Sequence, residues 1–192
     1  HCISSAASDV YKRQGYIKKT MSGDVMNIKK IRVDKEGAGM GWGAVYAQYL
    51  ESMDQISGQG NGLSVSRQLY KGDEALNESA PLKVGDKITV RLTVKADRDM
   101  DFVQIKDDRA ACMEPLQAVS GFRWSNGLGY YQATKDASTQ FFIDQMRKGT
   151  YVIEYQVYVN RTGEYQAGIA TVQSAYAPEF GGHTGGYRVM VE

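Results

Sequence analysis

The residues able to do chemistry are few, and their spacing argues against a reaction centre. His183 is the only histidine outside the first fourteen positions, and it stands in the run Gly181-Gly182-His183-Thr184-Gly185-Gly186, read as a flexible loop. A lone histidine cannot assemble a zinc site of three or four ligands, and it serves as a base only beside a nucleophile and an orienting group. Asp97, Asp99, Asp101, Asp107 and Asp108 cluster around Arg98 and Arg109. Their spacing is not that of a twelve-residue calcium loop, and two arginines are at hand, so surface ion pairing is favoured over a metal site. An internal thioester joins a cysteine to the glutamine of a Cys-x-Glu-Gln motif. The segment Cys112-Met113-Glu114-Pro115 cannot form one, because Pro115 has no carboxamide for the thiol to attack. Neither Gly-x-Ser-x-Gly nor His-Glu-x-x-His occurs. The expectation is no catalytic residue, no metal and no cofactor.

Two further features have a structural and a functional side. Gly37, Gly39, Gly41 and Gly43 alternate, but no Gly-Lys-Ser/Thr follows and no helix starts there, so they read as a strand or its approach stripped on one face rather than a phosphate loop. The aromatics Trp124, Tyr130 and Tyr131 flank Asn126-Gly127 and have the look of exposed groups. They motivate an alternative function, a carbohydrate- or ligand-binding β-sandwich module of an exported protein.

The elements that would position these groups are strands. In residues 87–95, Ile88, Val90, Leu92 and Val94 alternate with Lys87, Thr89, Arg91, Thr93 and Lys95, the period of a half-buried strand. Tyr151, Ile153, Tyr155, Val157 and Val159 repeat the pattern against Glu154 and Gln156. Further strands are expected over 25–33, 42–50, 63–70, 102–106, 121–124, 130–133, 140–144, 166–173 and 187–191. Ser125-Asn126-Gly127 and Arg161-Thr162-Gly163 read as hairpin turns, and Val84-Gly85-Asp86 introduces the clearest strand. Residues 111–119 contain Pro115 and read as a loop crossing between sheets. Short strands at regular spacing predict an all-β fold, two antiparallel sheets packed as a sandwich.

Composition sets the outer bounds. Lysine plus arginine number 23 and aspartate plus glutamate 22, interspersed along the chain, so nucleic acid is not an expected partner. No apolar run reaches the roughly 20 residues of a membrane span. Residues 1–14 differ in texture from the rest and read as a non-native leader, with 15–23 a linker. Residues 24–192 then form a single sandwich domain, the alternative being that strands in 24–75 belong partly to a preceding domain. Of the two cysteines, Cys2 falls in the leader, which leaves Cys112 as a small half-buried thiol without a disulfide.

Four segments in order resemble the last macroglobulin-like domain of bacterial alpha-2-macroglobulins. They are Val84-Gly85-Asp86-Lys87-Ile88-Thr89-Val90, then Val103-Gln104-Ile105-Lys106-Asp107-Asp108-Arg109-Ala110-Ala111, then Lys148-Gly149-Thr150-Tyr151, then the run from Ala170 to Phe180. Trp42-Gly43-Ala44-Val45-Tyr46 and Gly62-Leu63-Ser64-Val65 resemble the strands before it more loosely. The resemblance implies an immunoglobulin/fibronectin-like sandwich in a large periplasmic or cell-surface protein that entraps proteases. It also implies a helical thioester-type domain as neighbour, proteases being met only through the whole parent. Within that frame the docking candidates are Tyr176, Pro178, Glu179, Phe180 and His183, in a loop over 174–186 whose flanking glycines let it adapt to a neighbour.

Overall fold

The computed structural model describes residues 18–21, 28, 30–46, 50–77 and 80–192. The chain divides into two compact units, His1–Ala47 and Gln48–Glu192. In the first, the described residues form no strand or helix. Expected strands over 25–33 and 42–50 are absent wherever they fall on described residues, the remainder lying outside them. Trp42, Val45 and Tyr46 are 89%, 66% and 85% exposed, so the alternation there has no face to bury. The glycine run is a bend rather than a strand: Gly37 and Gly39 sit at φ +87° and +104°, left-handed backbone that breaks an extended chain.

Among the described residues, the second unit holds one 3₁₀ turn, Met53–Gln55, and fourteen strands. In chain order they are β1 Gln59–Asn61, β2 Leu63–Lys71, β3 Glu74–Ala75, β4 Lys87–Ala96, β5 Met100–Asp108, β6 Met113–Pro115 and β7 Gly121–Ser125. There follow β8 Leu128–Thr134, β9 Ser138–Met146, β10 Gly149–Val159, β11 Gly163–Ala167, β12 Ala170–Ser174, β13 Gly181–His183 and β14 Tyr187–Val191. One sheet runs β6-β10-β4-β2-β1-β13-β12-β5-β9-β8-β7, with β3 on β2, and β11 pairs β14 separately. The short β1 and β13 join two halves that face each other, as ring contacts show: Phe141 of β9 lies 5.9 Å from Tyr155 of β10. Ile88, Leu92, Val94, Ile105, Phe141, Ile153 and Val157 are wholly buried between the halves. The chain is therefore an antiparallel β-sandwich whose core is the alternation read from β4 and β10.

Turn chemistry explains several joints. Asn126 and Gly127 have φ +51° and +76°, the two left-handed residues that a twisted two-residue hairpin needs between Ser125 and Leu128. At Lys83–Asp86 the Asp86 N–H donates to the Lys83 carbonyl and Gly85 takes φ +90°, so the turn starts β4 as expected.

Elsewhere the expectations need correction. Arg161-Thr162-Gly163 is not a hairpin, because β10 pairs with β4 and β6 whereas β11 pairs with β14; the chain changes sheet there. Residues 166–173 are not one strand. At Gly168 a Cβ would stand 2.4 Å from the Cβ of Asp108, and this close approach marks where the chain leaves β11 for β12. The crossing loop contains β6, with Pro115 at the end of an edge strand, where its missing N–H costs no ladder bond. The glycine loop around His183 is β13, paired on both sides by β1 and β12. A Cβ on Gly182 would lie 2.7 Å from the carbonyl oxygens of Gln59 and Leu63, so glycine there permits close strand packing rather than mobility.

Candidate functional site

The acidic cluster separates into different roles. Asp97 pairs with Arg98 at 2.9 Å and Asp108 with Lys106 at 2.9 Å, both toward solvent. Asp99 accepts the Lys148 N–H at 2.7 Å. Asp107 departs from the surface-pairing reading, because inward alternation on β5 leaves it 1% exposed. There Arg67 of β2 donates to it at 2.5 Å and the Tyr155 hydroxyl at 2.7 Å. Burial pushes the Asp107 carboxyl above its ordinary value, opposed by the Arg67 charge and the Tyr155 hydrogen bond. Tyr155 itself rises well above its usual range through burial and the adjacent carboxylate. Arg109, expected to pair with an aspartate, is buried and donates instead to Thr139 at 2.5 Å and to the carbonyls of Asp136 and Lys135. No group of metal-ligating side chains forms among the described residues. Cys112 is free and fully buried, and burial raises its thiol.

The docking candidates follow β12. Tyr176 is 80% exposed and meets the Phe102 ring edge-on at 5.1 Å. Phe102 is held at φ +53°, and the Ala175 N–H donates to its carbonyl. The β5–β9 ladder skips the Phe102–Asp144 pair and resumes in the same register, so no residue is inserted there. Pro178 and Glu179 are exposed, their carbonyls tied down by Gln173 and Asn61. Phe180 differs from them: half-buried, it packs against the core beneath the Arg98 guanidinium, 4.7 Å from its ring centroid. His183 lies level with Gln59 on one side and Thr171 on the other.

The aromatics of the alternative reading divide likewise. Trp124 is 78% exposed, but Tyr130 is only 5% exposed and packs edge-on against Phe141 at 5.6 Å. The correction follows from strand parity, which sends Tyr130 inward with Leu128 and turns Tyr131 outward. Sequence reading missed Phe122, 79% exposed and 5.1 Å from Tyr131, and Phe142; both belong to the same outward set and were legible from the alternation of β7 and β9.

These features define an antiparallel β-sandwich with a buried ion pair in its core and exposed aromatic residues on its outer strands. Residues 62–179 match the Bacterial Alpha-2-macroglobulin MG10 domain, and the chain belongs to that family. Among solved structures, Salmonella alpha-2-macroglobulin reacted with methylamine superposes with a TM-score of 0.59 at 20% identity over 71% of this chain and 10% of that one. Escherichia coli alpha-2-macroglobulin activated by porcine elastase gives 0.61 at 16% identity, over 71% of this chain and 14% of the other. A curated relative, circularly permutated Ras protein 2 of Dictyostelium discoideum, is 29% identical over 138 residues, which are 68% of this chain and 4% of that protein. The chain thus corresponds to a small part of the proteins it resembles.

Proposed function

We propose that this chain is a non-catalytic structural and docking domain of a bacterial alpha-2-macroglobulin-like, protease-trapping protein of the periplasm or cell surface. It packs against a neighbouring helical thioester-type domain, and proteases are engaged only by the whole parent. The observation that carries the reading is the contact between Tyr176 and Phe102: an exposed ring braced by a residue in left-handed backbone, within a domain of the MG10 family. Strained backbone persists where surrounding structure enforces it, and it gathers at surfaces that must hold one shape.

Hydrogen exchange over residues 174–180, measured in this chain alone and in the parent protein, tests the reading. Greater protection in the parent, lost in Tyr176→Ala, is expected; equal protection in both settings overturns it. Phe180→Ala acts differently, lowering the stability of the domain itself by about 2 kcal/mol, because its ring packs on the core. Turnover of any substrate that disappears in His183→Ala would overturn the non-catalytic part of the proposal.

A further inference from the structure

On the outer face of the sheet β7-β8-β9-β5-β12-β13-β1, register places Phe122, Tyr131, Phe142, Gln104, Gln173, Gly181 and Asn61 in one continuous row. The first three are an aromatic stripe. Trp124 adds to it from the next outward position on β7, opposite Gly129. A Cβ on Gly129 would stand 2.8 Å from both Cε3 and Cζ3 of that indole and 4.0 Å from Cη2, so the ring rests its six-membered edge against the bare backbone of the glycine. The side chain is otherwise open to solvent, the residue being 78% exposed. A flat ring fixed on a sheet is a platform prepared in advance, where a flexible side chain would have to be ordered by its ligand.

At the other end of the row the sheet carries a groove of about 350 Å³ with Gly181 on its floor. Asn61 and Gln173 stand on either side of Gly181, and His183 stands between Gln59 and Thr171 one step along. These groups are amides, a hydroxyl and an imidazole, with neither a carboxylate nor an ammonium among them. Gln104 bridges groove and platform with an exposed amide, and Lys106, the nearest cation in the register, is occupied by Asp108 at 2.9 Å. Six strand steps of about 4.8 Å separate Phe122 from Asn61, roughly 29 Å in all.

We infer that this face binds a neutral oligosaccharide. Sugar rings would stack their C–H faces on Trp124 and the adjoining aromatics, while their hydroxyls would meet the amide of Gln104 and donate to the amide oxygens of Gln173 and Asn61, whose nitrogens already donate to the Pro178 and Glu179 carbonyls. The chemistry of the face selects the ligand: aromatic planes suit apolar ring faces, side-chain amides supply both donors and acceptors for hydroxyls, and an uncharged groove gives no advantage to anions. The site shares Asn61 and Gln173 with the anchoring of the docking loop, but it makes no use of the Tyr176 ring.

The test is calorimetric titration of the full chain with malto-, cello- and chito-oligosaccharides, a readout that does not depend on the indole removed in Trp124→Ala. Saturable binding to one of these series is expected, changing less than twofold between low and high salt, because a neutral ligand has no charge to screen. Trp124→Ala should weaken it at least tenfold. Gly129→Ala, which keeps the indole but pushes it off the sheet, should weaken it about as much, and Gln173→Ala several-fold. Tyr176→Ala should leave it unchanged, so failure here is distinct from failure of the docking role. No saturable binding to any series overturns the inference and leaves the face to a protein neighbour. Binding that survives both Trp124→Ala and Gly129→Ala overturns it equally, and circular dichroism of each variant confirms that it is folded.

Discussion

Arg67 on β2 donates a hydrogen bond to Asp107 on β5 at 2.5 Å, with the two side chains 5% and 1% exposed. The pair therefore spans the two halves of the sandwich through its core. The same guanidinium donates to the Gly168 carbonyl at 2.5 Å and lies 4.6 Å from the centroid of the Tyr187 ring. Burial pushes the Tyr187 hydroxyl up to about 12. Charges out of water are costly unless every lone pair and proton is used, and here Tyr155 takes the remaining carboxylate oxygen. Removing one partner strands the other, so Asp107→Leu or Arg67→Met should each cost about 3–5 kcal/mol in urea unfolding. The double variant should cost less than the sum. A loss equal to the sum would mean that the two groups do not interact in the folded protein.

Asp86 gives a pH dependence of definite sign. Its carboxylate accepts from Lys71 Nζ at 2.7 Å and from the Lys83 backbone N–H at 3.0 Å. The Lys71 hydrogen bond is the chief reason that its carboxyl titrates below the ordinary value. An acid depressed in the folded state contributes stability above its unfolded value, about 3.9, and that contribution fades as pH falls through the folded value. Asp86→Asn should therefore lower the melting temperature near neutrality, with the gap to the parent closing below about pH 4. A gap independent of pH would assign the loss to the turn rather than to the charge.

Legibility in the sequence tracked burial. β4 and β10 were readable because each has one wet face and one dry face, and the dry faces form the core. The turn at Asn126-Gly127 was readable because its conformation is set by two adjacent residues. Trp42 to Tyr46 misled because alternation marks a strand only where something covers one side. Arg67 passed unnoticed because its partner is 40 residues away, and nothing local distinguishes a buried guanidinium from a solvated one. The break at Gly168 was hidden for a related reason: the group that forbids a side chain there is Asp108, on another strand. Gly168→Ala should consequently destabilise the domain by more than 2 kcal/mol, roughly the cost of overpacking a tight backbone approach. Gly121→Ala, with open space around it, should be close to neutral. Equal effects in thermal unfolding would remove the steric account of the crossing.

Phe102 and Asp144 face each other where both strands lose their phase. Met100 and Val103 are buried three positions apart on β5, as are Ile143 and Met146 on β9, although strict alternation would bury every second residue. The left-handed turn of Phe102, φ +53°, accounts for this on β5, since it rotates the chain by one step without inserting a residue. An L-residue pays roughly 1–2 kcal/mol to hold such a conformation, and glycine does not. Phe102→Gly should therefore be more stable than Phe102→Ala by about 1 kcal/mol in urea unfolding, despite the greater freedom of glycine in the unfolded chain. Both variants lose the ring that braces Tyr176, so the difference between them isolates the backbone. If alanine proved as stable as glycine at this position, the phase change would have to originate on β9, and Tyr176 would rest on an unstrained strand.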